Sequence, residues 1–142
     1  MISWLALRII KRTTARLNAG DIRPALRTFH RDGVEIFPGE SSWGRVYRGR
    51  AEIEAFLRRF VDSGLKLEPY DVVAKGWPWN MTLCVVFTDH LTTPQGETVY
   101  RNRGALYIKM RWGKIVSQED FLDTQEVAKL ELIVSVAQDV WG

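Results

Sequence analysis

From Lys66 to Leu122 apolar and polar residues alternate, and only short turn signals interrupt them. The turns fall at Pro78–Trp79–Asn80, at Pro94–Gln95–Gly96 and at Trp112–Gly113. They leave strand-like stretches at Lys66 to Trp79, Met81 to Thr92, Glu97 to Trp112 and Lys114 to Leu122. A period of two broken by turns this short reads as an antiparallel meander. Long strands joined so tightly must twist and coil. The chain therefore needs a curved sheet, and it needs apolar cover for one face of it.

The other segments supply that cover. Met1 to Leu17 places Ile2, Leu5, Ile9 and Ile10 at helical spacing. Asn18–Ala19–Gly20–Asp21 breaks that pattern, and Asp21 is suited to cap a second helix with Pro24 in its first turn. Leu26 and Phe29 are its expected core positions, with His30 in its last turn. Val34 to Pro38 reads as a short strand, and Gly39 to Gly49 as a polar loop carrying Trp43. Arg50 to Asp62 places Ile53, Phe56, Leu57 and Phe60 on one helical stripe. Asp123 and Glu126 fit a capping box that opens a last helix. The expected class is α+β: one domain over residues 1–142, a cone-shaped, strongly curved antiparallel sheet with N-terminal helices on its concave face. The mouth of such a cone suits a small molecule. Residues 133–142 fit a cap over the cone, a dimer contact or a frayed end.

With 142 residues, 46% of them hydrophobic, the chain can bury one sizeable core. Its net charge is only +3 and its arginines are scattered, so no nucleic-acid partner is expected. One cysteine, Cys84, makes no internal disulfide, and two histidines beside it give no zinc spacing. No metal and no cofactor are expected, since there is no glycine-rich phosphate loop. Arg8 interrupts the apolar N-terminal run, which reads as a helix of the mature protein, and no run is long enough to span a bilayer. The expectation is a cytoplasmic protein without a membrane partner.

Three stretches carry a resemblance that covers nearly the whole chain: "RLNAGDIRPALRTFHRDGVEIFPG", "YRGRAEIEAFLRRF" and "ALYIKMRWGKIVSQEDFLDTQEV". Their order resembles the nuclear transport factor 2-like fold, which holds ketosteroid isomerases, SnoaL-like polyketide cyclases and limonene epoxide hydrolases. The isomerase base would fall at Phe37 and the isomerase oxyanion groups at Thr13 and Leu106, so that set of polar groups is lost. The epoxide hydrolase aspartates fall on Asp89 and Asp120. The arginine of that set falls at Phe87, and its tyrosine and asparagine at Glu35 and Phe37. The resemblance implies an acid–base enzyme of isomerase, cyclase, dehydratase or epoxide hydrolase type, acting on a mostly apolar small molecule. The alternative is a non-catalytic ligand-binding or dimeric interaction module. A homodimer is expected through the outer sheet face, where Tyr107, Val86 and Phe121 lie.

Strand alternation orders the candidate site. If Asp89 points inward, so do Phe87 and Val85, while His90, Thr88 and Val86 point out. Asp89 and His90 therefore form no dyad. An even loop at the next hairpin turns Tyr100 or Asn102 to the side of Asp89, and a three-residue loop or bulge turns Arg101 there. The apolar run Gly104, Leu106, Ile108, Met110 favours the first. On the last strand Asp120 shares its face with Gln118, Val116 and Leu122. The expected pocket has Phe37, Phe60, Phe87, Leu106 and Ile108 as walls. Asp89 and Asp120 are its catalytic candidates, with Asn102, Tyr100 and Glu35 as further polar groups. Two carboxyls close together in an apolar site favour one proton between them, which is the starting state for acid–base chemistry. The plainer alternative makes Asp89 a solvated strand end.

Overall fold

The computed structural model covers the backbone of residues 2–141 and the side chains of residues 2–135. Helices α1 (Ile2–Asn18) and α2 (Arg23–Thr28) come first, followed by strands β1 (Phe29–Phe37) and β2 (Arg45–Arg48) and helix α3 (Gly49–Asp62). The meander is β3 (Lys66–Trp77), β4 (Asn80–Thr92), β5 (Thr98–Arg111) and β6 (Lys114–Leu122), and α4 (Thr124–Trp141) closes the chain. The strands form one six-stranded sheet in the order β2-β1-β6-β5-β4-β3. All neighbours are antiparallel except β1 and β6, which run parallel. The α+β reading holds, with the sheet curled rather than closed.

The inner face buries Leu83, Val85 and Phe87 of β4 and Ile108 of β5 against Ile53, Phe56 and Leu57 of α3. The outer face leaves Val73, Tyr107 and Phe121 exposed. Pro69 is tolerated in β3 because β3 is an edge strand and bulges at that point.

Local readings needed correction in five places. The expected buried stripe of α1 is turned round: Ile2, Leu5 and Ile9 are exposed, and Ala6 and Leu7 pack on the core with Ile10 instead. α2 is one turn and a half, and Phe29 begins β1 instead of ending the helix, so His30 is a strand residue. Its Nδ1 accepts the Asp32 N–H at 3.0 Å. The supposed loop after Pro38 contains β2, which pairs with β1 from Val34 to Phe37. A bulge near Val116 turns Ile115, and not Val116, into the core. Asp123 caps α4 as expected, accepting the Gln125 N–H at 2.9 Å, but Glu126 pairs with Lys129 instead of reaching back. The expected role of residues 133–142 lies largely outside the described side chains; the backbone continues α4 to Trp141.

Gly104 sets how tightly the sheet can curl. A Cβ there would lie 2.2 Å from the Phe121 carbonyl oxygen and 3.0 Å from Phe87 Cζ. Phe87 is its partner across β4 and β5, so the missing side chain is the space the ring occupies. Gly104→Ala is expected to destabilise the protein by about 1–3 kcal/mol through overpacking, read as a lower denaturant midpoint with an unchanged slope.

Candidate active site

The register across β4, β5 and β6 brings the site together. Asp89 stands opposite Asn102 and Leu106 opposite Asp120, while His90 stands opposite Arg101 on the outer side. Asn102 faces in and Arg101 out, but not through an even loop: Thr92 stands opposite Thr98 across an odd loop, and a bulge at Val99 shifts the register by one, the opposite of the effect expected of a bulge. Asp89 is 6% exposed, Asp120 7% and Glu35 0%, so the solvated strand end is excluded for Asp89.

A cavity of about 90 Å³ opens between the inner sheet face, α3 and α4. Phe37, Phe60, Phe87, Tyr100 and Leu106 line it, together with both aspartates. Three expected members lie behind the wall. Ile108 is buried in the core below the cavity, and Asn102 and Glu35 support groups that reach it. Trp43 and Gln118 line the cavity and were not foreseen in that role. Trp43 is held from the β1–β2 loop, packed edge-on against Phe56 at 5.8 Å, with the Arg59 guanidinium 3.9 Å above its ring. The same loop is latched to the helices. Ser42 N–H donates to Glu131 Oε1 of α4 at 2.6 Å, and Arg59 Nη1 of α3 donates to the Ser42 carbonyl at 3.0 Å.

Two polar clusters result. In the first, Asn102 Nδ2 donates to the Tyr100 hydroxyl at 3.0 Å and to the Asp123 carbonyl at 2.9 Å. Tyr100 in turn points its hydroxyl at Asp89 Oδ2, 3.4 Å away. Burial raises Asp89 to about 6 against the pull of Tyr100, and burial also raises Tyr100. In the second cluster, β1 lies parallel to β6 with Glu35 beside Gln118. Gln118 Nε2 donates to Glu35 Oε2 at 2.8 Å. The Glu35 and Asp120 carboxyls adjoin and perturb each other. Burial first, and then the neighbouring Asp120, raise Glu35 well above the carboxylate range; burial raises Asp120 to about 6 while the Glu35 carboxyl lowers it. Burial and mutual repulsion thus make the pair hold a proton well above the ordinary carboxylate range. Glu35 Oε1 and Asp120 Oδ1 have no hydrogen-bond partner among the described residues. Asp89 Oδ1 has none either. Among the described residues no Lys, Arg or His forms an ion pair with any of the three acids. None of their groupings is placed to hold a metal ion. The cavity thus places Asp89 and Asp120, both raised by burial, within aromatic walls of low dielectric.

A family model for the SnoaL-like domain matches residues 10–118. The chain belongs to the SnoaL-like family. The match spans Glu35 and Asp89 and stops just short of Asp120 and α4. No curated protein matches the sequence. Among solved structures, an NTF2-like protein of unknown function from Burkholderia pseudomallei superposes with a TM-score of 0.71 at 20% identity, over 87% of this chain and 94% of that one. TerC, co-crystallised with polyporic acid, gives 0.70 at 26% identity over 87% and 95%. A LEH-like epoxide hydrolase of M. tuberculosis gives 0.65 at 19% identity over the full length of both chains. The SnoaL-like fold thus carries both enzymes and small-molecule complexes.

The three acids should weaken the fold at neutral pH. A carboxyl whose folded pKa lies above its unfolded value holds its proton more tightly when folded. Its stabilising effect is complete below the unfolded value and fades as pH rises through the folded one. For Asp89 that window runs from 3.8 to about 6. Asp89→Asn is expected to raise stability at pH 8 by roughly 1–3 kcal/mol, with no gain at pH 4. Glu35→Gln should follow the same sign. Thermal melts of both variants across this range check it; equal melts at pH 8 would contradict the burial of charge described here.

Proposed function

We propose that this SnoaL-like protein is an acid–base enzyme acting on a compact, mostly apolar small molecule held in the cone, and that no cofactor takes part. Asp89 is the base and Asp120 is the acid, with Glu35 as the store of its proton. The observation that carries the reading is the meeting of three buried carboxyls in an aromatic cavity without a cationic partner. Such an arrangement weakens the fold and contributes nothing to packing that leucine or glutamine would not. Perturbed acids in a cleft favour a catalytic role. Chemically, ionised Asp89 takes a proton from an activated C–H or from water in the cavity. The Glu35–Asp120 pair returns a proton to the oxygen on which charge develops. Isomerisation, cyclisation, dehydration and epoxide opening all follow that pattern. Phe87, in the place the resemblance gives to an arginine, leaves the developing charge to Tyr100 and the acid pair.

The test is a thermal-shift screen of compact ketones, enones and epoxides, since a ligand bound to the folded state raises its melting point. Compounds that bind are then followed for turnover by NMR. Asp89→Asn should keep binding within a few-fold and lower kcat by about 10²-fold or more. Turnover should rise through pH 6 as Asp89 ionises, and fall at higher pH as the Glu35–Asp120 proton is lost. Turnover unchanged in both Asp89→Asn and Asp120→Asn sinks the mechanism. Binding without turnover of any bound compound supports the ligand-binding alternative instead.

We also propose a homodimer through the outer sheet face, where Val73, Tyr107 and Phe121 form an apolar area free of helices. Sedimentation at micromolar concentration should give the mass of two chains. A single-chain mass, or a two-chain mass that persists in Tyr107→Glu/Phe121→Glu, rejects that interface.

A further inference from the structure

We infer that the end of the sheet formed by the β3–β4 and β5–β6 hairpins docks on the surface of an anionic lipid bilayer. Three tryptophans meet there. Trp77 and Trp79 stack at 5.8 Å with their rings 7° apart, and Trp112 of the neighbouring hairpin lies 6.3 Å from Trp79. They are 65%, 50% and 78% exposed, so most of the apolar area of the cluster stands in water. A cluster of this kind on a hairpin tip contributes little to the fold and calls for a partner.

The backbone adds a second observation. Trp112 has φ 51 and Gly113 φ 77, the two left-handed residues of a tight hairpin turn. Asparagine or glycine suits the first position, and a bulky residue there is an outlier. The turn accepts strain and presents an indole to solvent.

Charge selects the partner. No acidic residue occurs between Val72 and Thr88 or between Thr98 and Gln118. Lys75, Lys109, Arg111 and Lys114 are exposed around the tryptophans. Lys114 Nζ donates to the Arg27 carbonyl at 2.7 Å, a bond that leaves its charge uncompensated. Helix α1 extends the pattern: it holds no acid, and Ile2, Trp4, Leu5 and Ile9 are exposed beside Arg8, Lys11 and Arg12. Its first turn is tied to β3, where the Ala74 N–H donates to Ser3 Oγ at 3.1 Å, three residues before Trp77. Indoles at headgroup depth with cations around them match the interface of an anionic membrane. A single-stranded nucleic acid fits less well. It needs a basic groove with open aromatic faces, and here Trp77 and Trp79 cover each other. The sequence reading expected no membrane partner because no segment can cross a bilayer, and no described helix is long and apolar enough to do so. Contact in the plane of the interface has no such length requirement.

The experiment is co-sedimentation of the full chain with phosphatidylcholine vesicles, with and without phosphatidylglycerol. The chain should pellet with the anionic vesicles, with tryptophan emission shifted to the blue, and the pelleted fraction should fall with added salt. Two variants with unchanged melting points isolate the surface. Trp77→Ala/Trp79→Ala/Trp112→Ala removes the apolar contact, and Lys75→Glu/Arg111→Glu reverses the charge. Each should lower partitioning by roughly tenfold or more. The inference is overturned if the parent ignores anionic vesicles or if both variants pellet as the parent does. It is equally overturned if the tryptophans prove to drive only self-association or retention of a single-stranded oligonucleotide.

Discussion

The register between β4 and β5 is the constraint on which the site depends. Because side chains alternate, one residue of slip across this pair would exchange every inward group for its outward neighbour. Arg101 would enter the cone in place of Asn102, and Asp89 would lose the chain that runs through Tyr100 to Asn102. The hairpin bulge at Val99 and the fit of Phe87 over Gly104 pin the register from both directions. The acids stay where they are because the apolar residues around them have nowhere else to go.

A second consequence concerns the acids' electrostatics. Asp89 and the Glu35–Asp120 pair rise for the same first reason, burial, yet they end in different states. Asp89 has a hydroxyl to lean on and no acid bonded to it, so it ionises near pH 6. Glu35 is wholly buried beside another carboxyl, which raises it well above the carboxylate range. Two environments thus raise the carboxyls by different routes without any basic side chain. The proposed acid–base chemistry would draw on that difference.

The sequence made the meander legible because its strand-like stretches are cut by short turn signals, and the inward set Val85, Phe87, Asp89 and Asn102 could be counted by strand alternation. Other parts were hidden for identifiable reasons. "ALRTFHRDG" carries helical spacing through Phe29, yet pairing with β6 claims Phe29 for the sheet. Arg45–Arg48 is too short and too polar to announce a strand, and only its pairing with β1 makes it one. The partnership of Glu35 with Asp120 depends on β1 lying beside β6, a pairing between distant segments that no local pattern encodes. The tryptophans read as turn punctuation, because their meeting depends on the order of strands in the sheet.

The latch between the β1–β2 loop and the two helices has an effect on time as well as on structure. Ser42, Glu131 and Arg59 join the loop carrying Trp43 to α4 and α3, the elements that enclose the cavity. These polar contacts lie at the exposed rim, where water can take their place, so a path to the cavity between the loop and the helices would open only as they part. Entry and exit by that path are then governed by how often the rim opens, not by how well the aromatic walls grip. Ligands of very different affinity that used such a path would share one association step, set by the rim.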